Sequence, residues 1–195
     1  MSGFRVDVLE QAPELQLVDG AKRGDGDALA GLYDAYVKRI YRYVVLRVRN
    51  PSEAEDLTEQ VFMRMLESIA SFQPSRAPFS AWLFRIAHNL IVDYQRKQRS
   101  RFRYLQMEAP LLRSDDPSEL AIIEVQMAAV REAVKELPAS QQQVIALRFG
   151  AQQSIAEVAQ VMSRSEAAVK SLQYKAIQTL RAMLDGRGGD HHERH

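Results

Sequence analysis

The sequence predicts an all-α protein made of two small helical domains joined by a flexible linker, the second domain being a helix-turn-helix. Apolar residues recur at i, i+3, i+4 and i+7 in successive segments from Glu14 onward. No segment alternates with the period of two that a strand requires. A stretch rich in Pro, Ser and Asp, from Tyr104 to Pro117, separates two blocks of helical pattern. We therefore expect an N-terminal extension (1–13), a first domain (14–103), a linker (104–117), a second domain (118–184) and a C-terminal tail (185–195).

Composition limits the function classes. The chain has 195 residues, 46% of them hydrophobic, which is enough to bury a core. It has no cysteine, which excludes disulfides and thiolate metal sites. No apolar run approaches the ~20 residues of a membrane span, so we expect no membrane insertion and a cytoplasmic location. Because the net charge is only +1, binding to nucleic acid would require locally clustered cations.

The first helices are predicted from apolar stripes and breaks. We expect the first segment to begin at Glu14 and the chain to break over Gly20–Asp27. Ser52 and Glu55 have the spacing of a capping box for the third helix, beside Pro51 at a helix start. The stripe of the second helix comprises Leu29, Leu32, Tyr33, Tyr36, Val37, Ile40 and Val44.

The third helix presents an acidic, polar face. Its predicted core residues are Leu57, Val61, Met65 and Leu66. Phe62 lies between this stripe and the acids. Solvation alone would explain such a face, but an aromatic beside acids could also contact a basic partner helix. The polar face consists of Glu53, Asp56, Glu59 and Gln60.

The fourth helix, from Ser80 to Arg103, carries the strongest functional signal. Trp82, Arg85 and Asn89 lie on one helical line beside a buried stripe. The helix ends in cations with no acid between them, which could bind phosphates while the aromatic stacks on a base. The alternative is that Trp82 belongs to the core and that the cations favour the helix C-terminus. These cations are Arg96, Lys97, Arg99, Arg101 and Arg103.

The second half has the spacing of a helix-turn-helix. Ser154–Met162 predicts a short helix, 163–165 a turn, and Glu166–Leu184 a longer helix capped by Ser165. A plain helical hairpin would give the same pattern. Capping boxes are predicted at Ser140 with Gln143 and at Ser154 with Glu157, and helix ends at Gly150 and Gly186. Inward residues are Ile155, Val158, Ala159, Met162, Val169, Leu172, Ala176 and Leu180, and outer ones are Ala168, Lys170, Ser171, Gln173, Tyr174 and Lys175.

Together the two halves resemble the sigma-70 family of bacterial transcription initiation factors, in particular its extracytoplasmic function (ECF) group. In the first half, LYDAYVKRIYRYV, EAEDLTEQVFMRMLE and FSAWLFRIAHNLIVDYQRKQR are similar to the domain that binds polymerase and the -10 element. In the second, LPASQQQVIALRFGAQQSIAEVAQVMSRSEAAVKSLQYKAIQTLR is similar to the domain that reads the -35 element. The resemblance covers about residues 14–184.

This resemblance implies a binding factor that is not an enzyme and uses no cofactor or metal. Its implied partners are bacterial core RNA polymerase, promoter DNA (duplex at -35, single-stranded at -10) and an anti-sigma factor. Ser163, Ala168 and Leu172 depart from the Gly, Thr and Arg that the family commonly has there. The expected site residues are Asp56, Glu59, Gln60 and Phe62 for polymerase; Phe79, Trp82, Arg85, Asn89, Arg96, Lys97 and Arg99 for the -10 element; and Arg164, Lys170, Ser171, Tyr174 and Lys175 for the -35 element.

Two other function classes compete with this one. A stand-alone helix-turn-helix regulator would explain the second half but leaves the fourth helix without a role. A DNA-acting enzyme such as a recombinase would need a nucleophile or clustered carboxylates, and no such cluster is present in the sequence. The histidines at 191, 192 and 195 lie in a Gly-rich tail, where a solvated segment is favoured over a metal site.

Overall fold

The computed structural model describes residues 6–48, 50–104 and 119–188, and over these ranges it is built from helices with no strand. The predicted all-α class is confirmed. The helices are α1 (Val6–Lys22), α2 (Gly26–Val45), α3 (Pro51–Ser68), α4 (Phe79–Tyr104), α5 (Glu119–Lys135), α6 (Ala139–Ile145), α7 (Ile155–Met162) and α8 (Glu166–Gly188), with a 3-10 turn at Ile69–Ser71 and a π-helical turn at Ala146–Gly150.

Helix α2 is central to the fold. It contacts α1, α3 and α4 within the first half of the chain, and α5 and the π-helical turn of the second half. Leu32, Ile40, Tyr41 and Tyr43 on α2 are fully buried, and Phe84 of α4 packs against the Tyr43 ring at 5.6 Å between centroids. The two halves thereby share one continuous apolar core. The prediction that Tyr33 belongs to the buried stripe is wrong, because 45% of this residue remains exposed.

Helix α1 begins earlier than the sequence indicates. It starts at Val6, not at Glu14, and contains Pro13. Residues 6–12 carry no apolar stripe, so periodicity had no signal there. The helix is fixed to α2 by Tyr36, whose hydroxyl donates a hydrogen bond to the Glu14 carboxylate. Burial, with the Glu14 charge beside it, raises the pKa of Tyr36 above its ordinary value.

The helix ends correct several sequence predictions. The cap of α3 is Asn50, whose side chain accepts from the Ser52 amide at 2.9 Å, so Ser52 lies inside the helix. Helix α6 follows Pro138 and has no side-chain cap, so the box at Ser140 is wrong. Gly150 ends the π-helical turn as predicted. Helix α8 continues through Gly186, because one glycine costs a helix only about 1 kcal/mol.

The capping box of α7 is confirmed. The Ser154 hydroxyl accepts from the Glu157 amide at 3.2 Å, and the Glu157 carboxylate accepts from the Ser154 amide at 2.7 Å. Ser154 therefore accepts a hydrogen bond from a backbone amide at the N-terminus of α7 that would otherwise lack a partner.

Replacing this cap should destabilise the protein measurably. We expect Ser154→Ala to lower the free energy of unfolding by about 1 kcal/mol, the usual contribution of an N-cap hydroxyl. Ser140→Ala is the matched control, because Ser140 has the same sequence spacing but caps nothing. Urea unfolding followed by circular dichroism measures both. Equal losses in the two variants would contradict the assignment of the cap.

Candidate nucleic-acid interface

The start of α4 holds an aromatic cluster. The Trp82 ring lies 5.1 Å from the Phe72 ring and 5.5 Å from the Phe79 ring, and Trp82 is half-buried. Phe79 was predicted to contact DNA, but it is only 1% exposed and fills the core below Trp82. The remaining face of Trp82 lines a cleft of about 750 Å³. Trp82 can therefore stack on a base, whereas Phe79 can only support it.

Arg85 and Asn89 continue along α4 on its exposed side, as the sequence predicts. The Arg85 guanidinium, however, already has partners. It donates to the backbone oxygen of Gln160 and to Ser163 Oγ, the latter at 3.3 Å. Both acceptors belong to the end of α7 and the turn after it, so a predicted -10 residue contacts the helix-turn-helix.

The C-terminal part of α4 is exposed and basic. Arg96, Lys97 and Arg99 all face solvent. Arg96 pairs with Asp93 at 3.1 Å, so the acid that the sequence run lacks is supplied one turn earlier. Both partners are more than half exposed, and such a pair contributes little and is screened by salt. The cations remain available to phosphates. Arg101 and Arg103 lie on α4, but their side chains are outside the described residues.

Helix α3 exposes acids and apolar groups together. Asp56, Glu59 and Gln60 are exposed as predicted. Phe62 is 6% exposed, with its ring 4.7 Å from that of Tyr33, so it cannot be a direct partner contact as proposed from the sequence. Beside the acids, two residues are left uncovered that the sequence did not assign to a surface: Met63 (58% exposed) and Leu66 (46% exposed). Leu66 was expected in the core, but the core stripe of α3 is narrower than periodicity suggests.

The predicted helix-turn-helix is confirmed, and its second helix has an exposed outer face. Val158, Ala159, Val169 and Ala176 are buried between the helices. Ser163 adopts the left-handed conformation (φ 52°) at the turn, the conformation for which glycine is usual. Lys170, Ser171, Tyr174 and Lys175 are exposed, and Arg164 is exposed at the turn. Gln173 is instead half-buried and accepts from Arg148 Nε at 3.1 Å.

A half-buried histidine lies where α2, α4 and α6 meet. His88 Nδ1 is 3.4 Å from the Tyr43 hydroxyl and 3.1 Å from Gln143 Nε2. Burial lowers the pKa of His88 below its ordinary value, and the charges of Arg47 and Arg85 lower it further. Burial also raises the pKa of Tyr43 to about 12 and lowers that of Arg47. The folded protein therefore favours the neutral ring of His88.

This histidine should make stability depend on pH. Folding lowers the pKa of His88, whereas the histidine of the unfolded chain keeps a pKa of about 6.5. As the pH falls through this value, the unfolded chain binds more protons than the folded protein, so the free energy of unfolding decreases. We expect urea unfolding to show a larger loss between about pH 7.5 and about pH 5.5 for the native chain than for His88→Gln, which keeps a neutral polar group. Identical pH profiles would show that His88 does not carry the effect.

Neither a metal centre nor a membrane span is found in the parts of the chain that the structure describes. Residues 6–48, 50–104 and 119–188 contain no cluster of His, Asp and Glu suited to a metal ion. Within these ranges no helix is both long and apolar enough to cross a bilayer. The tail histidines at 191, 192 and 195, and the predicted linker from 105 to 117, lie outside the described residues.

Comparison with known proteins gives the family. The chain matches sigma-70 region 2 over residues 32–101 and sigma-70, region 4 over residues 133–182. It is 37% identical over 179 residues to the ECF RNA polymerase sigma factor BldN of Streptomyces coelicolor, an alignment that covers 90% of this chain and 67% of that protein.

Two solved structures show the same fold. One is CnrH in complex with the cytosolic domain of CnrY, with a TM-score of 0.66, 22% identity, and coverage of 87% of this chain and 96% of that chain. The other is the sigma factor RpoE in complex with the anti-sigma factor NepR from Bartonella quintana, with a TM-score of 0.60, 19% identity, and coverage of 80% and 96%. With both region profiles in order and a relative of this identity, the chain belongs to the ECF group of the sigma-70 family and is a promoter-specific transcription initiation factor.

Proposed function

We propose that three separate surfaces of this sigma factor divide the work of initiation. Helix α3 docks on core RNA polymerase, α4 holds the unpaired -10 strand, and α8 reads the -35 duplex. The observation that carries the proposal is the order of groups on α4, where half-buried Trp82 and exposed Arg85 and Asn89 precede the basic run beginning at Arg96. The corresponding domains are residues 14–103 and 118–184. The chain supplies binding surfaces, and the polymerase supplies the catalysis.

The polymerase surface combines charge with apolar contact. Asp56 and Glu59 offer carboxylates to a basic partner, and Gln60 adds a polar group. Met63 and Leu66, both about half exposed, extend the same helix with apolar area that a partner would remove from water. Phe62 does not contact the partner but supports this surface from the core, because its ring packs on that of Tyr33. The proposed partner surface is therefore basic with apolar groups between its cations.

The -10 surface suits a single strand. Taking a base out of a duplex costs a few kcal/mol, which stacking on an aromatic ring and cations on the phosphates can offset. Trp82 supplies the ring, and Arg96, Lys97 and Arg99 supply exposed cations farther along α4. Arg85 and Asn89 lie between them on the exposed side of α4.

The -35 surface suits the major groove. The major groove of B-DNA is about 12 Å wide and admits a helix whose side chains reach base edges. Lys170, Ser171, Tyr174 and Lys175 form the exposed face of α8, and 66% of Tyr174 is accessible. Leu172 points inward and is half-buried, so the position where the family commonly has Arg offers no contact here.

Regulation and location follow from the same proposal. The RpoE of Bartonella quintana was solved with an anti-sigma factor. We extend that class of partner to this chain, which would act in the cytoplasm, where bacterial RNA polymerase works.

Run-off transcription tests the function. Purified core polymerase is incubated with a pool of genomic promoter fragments, with and without this protein. Discrete transcripts that require both components support the proposal and supply the promoter motif. If the protein binds duplex fragments alone and no transcript starts, a stand-alone helix-turn-helix regulator replaces it.

A further inference from the structure

Helix α1 lies outside both regions that match the sigma-70 family, and none of its residues is assigned to DNA or polymerase. It ends at Lys22, before the first matched region begins at residue 32. It packs against α2 and against the 3-10 turn that precedes α4. The approach to α2 is close, because a Cβ added at Gly20 would lie only 2.7 Å from Ala28 Cβ. Helix α1 is therefore fixed beside the start of the proposed -10 surface.

The last residue of α1 contacts the aromatic cluster around Trp82. Lys22 Nζ lies over the Phe72 ring, 5.6 Å from its centroid. A cation at this distance is attracted to the face of an aromatic ring. The Phe72 ring is buried and packs against the Trp82 ring at 5.1 Å between centroids. Lys22 therefore holds one of the two rings that support the indole.

A second residue of α1 restrains the other supporting ring. The Tyr36 hydroxyl donates a hydrogen bond to the Glu14 carboxylate. The Tyr36 ring meets Phe79 edge to face, at 5.5 Å between centroids. Phe79 in turn lies 5.5 Å from both the Trp82 and the Phe72 rings. Two separate paths thus lead from α1 to the same indole.

The indole depends on these supports because it is held on one side only. Trp82 is half-buried: part of it packs on Phe72 and Phe79, and the rest lines the cleft of about 750 Å³. A binding group works well when packing and supporting contacts hold it within about 0.5 Å of its productive position. A shift of either supporting ring would therefore move the face on which a base stacks.

We infer that α1 orients Trp82 for the -10 strand, with Lys22 and Glu14 as positioning residues that do not contact DNA. The inference rests on the proposed function, in which Trp82 stacks on the unpaired base. Lys22 acts through Phe72, and Glu14 acts through Tyr36 and Phe79.

Fluorescence of Trp82 tests the effect on the indole directly. Trp82 is the only tryptophan in the chain, so excitation beyond the absorption of tyrosine reports on this cluster alone. We expect Lys22→Met and Tyr36→Phe to increase quenching by acrylamide and to lower the anisotropy of the full-length protein. Lys22→Met keeps an aliphatic chain, and Tyr36→Phe removes only a hydroxyl. Arg23→Met, the same change at the neighbouring exposed cation, should leave both signals unchanged.

Promoter opening tests the effect on function. We expect Lys22→Met to reduce the permanganate reactivity of unpaired thymines about two- to fivefold, the factor that corresponds to a cation–π contact near the surface. Binding to core polymerase should be unchanged. Lys22→Arg keeps a cation over Phe72 and should recover most of the opening. If Lys22 only stabilised the fold, Lys22→Met would lower the free energy of unfolding but leave the fluorescence and the opening of the folded protein as they are.

Salt dependence separates positioning from a direct phosphate contact by Lys22. The polymerase-bound protein is titrated with a single-stranded -10 oligonucleotide at several salt concentrations. A positioning residue weakens binding by the same factor at each concentration. A fall of about 0.7 in the slope of log affinity against log salt for Lys22→Met would instead make Lys22 a phosphate contact and overturn its positioning role.

Two further results distinguish failure of this inference from failure of the proposed function. If folded Lys22→Met and Tyr36→Phe both match the native chain in Trp82 fluorescence and in promoter opening, α1 does not position Trp82. If their fluorescence changes but Trp82→Ala opens the promoter as well as the native chain, the proposed role of Trp82 at the -10 strand is wrong.

Discussion

Trp82→Ala is expected to reduce promoter opening by about 5- to 150-fold, because stacking of a base on an aromatic side chain contributes about 1–3 kcal/mol. Binding to core polymerase should be unchanged, since Trp82 lies on α4 and the proposed docking groups lie on α3. Permanganate reactivity of unpaired thymines measures opening, and fluorescence anisotropy with labelled protein measures polymerase binding.

Two variants make this result specific. Trp82→Phe keeps a ring that can stack and should retain most of the opening activity, whereas Trp82→Ala also loses packing against Phe72 and Phe79. The free energy of unfolding is therefore measured for both. Lys170→Ala, on the exposed face of α8, should instead weaken recruitment that depends on the -35 element. Equal loss of polymerase binding in Trp82→Ala and Lys170→Ala would contradict the division of surfaces.

Neutralising Arg96, Lys97 and Arg99 together to Gln should weaken DNA binding and change its salt dependence. Each phosphate contact on a single strand contributes about 0.7 to the slope of log affinity against log salt, so losing three lowers the slope by about 2. All three side chains are exposed, and the Asp93 pair of Arg96 is screened. Titration of a single-stranded -10 oligonucleotide with the polymerase-bound protein at several salt concentrations gives the slope.

A control of the same chemistry, which removes two cations where the test removes three, is Arg64→Gln with Arg23→Gln. Both are exposed cations of the first half, away from the end of α4, and Arg64 is engaged with Glu67 at 2.8 Å. These changes should leave the slope unaltered, and neither set should alter the free energy of unfolding by more than about 0.5 kcal/mol. If the native chain and the triple variant have the same slope, Arg96, Lys97 and Arg99 do not contact the phosphates of the -10 strand.

The positions at which the sequence prediction is wrong share a physical cause. Phe62 and Phe79 were read as contacts because each lies beside polar or functional residues, but both rings are buried against aromatic neighbours. Leu66 was read as core and is exposed. Periodicity locates the face of a helix to within about one residue, and the neighbouring helix decides which borderline residue it covers.

The predicted helix caps also include one that is correct and two that are wrong. The spacing of Ser and Glu or Gln is equal at residues 52, 140 and 154, yet only Ser154 makes the reciprocal bonds. Asn50 and Pro138, each two residues ahead of the serine, fix the helix start and place Ser52 and Ser140 within the first turn. A capping motif therefore predicts a helix start only where no stronger start signal precedes it.

Spacings of a few residues were enough to predict most of the helices, the helix-turn-helix, the order of groups on α4 and the family resemblance. The close packing of the two halves against each other, by contrast, could be found only from the three-dimensional structure. This packing depends on pairs such as Arg39 with Ala151, which are 112 positions apart, and Arg85 with Gln160, which are 75 apart. No local spacing records such a pair, because its geometry exists only when α2 and α4 are packed against the second half.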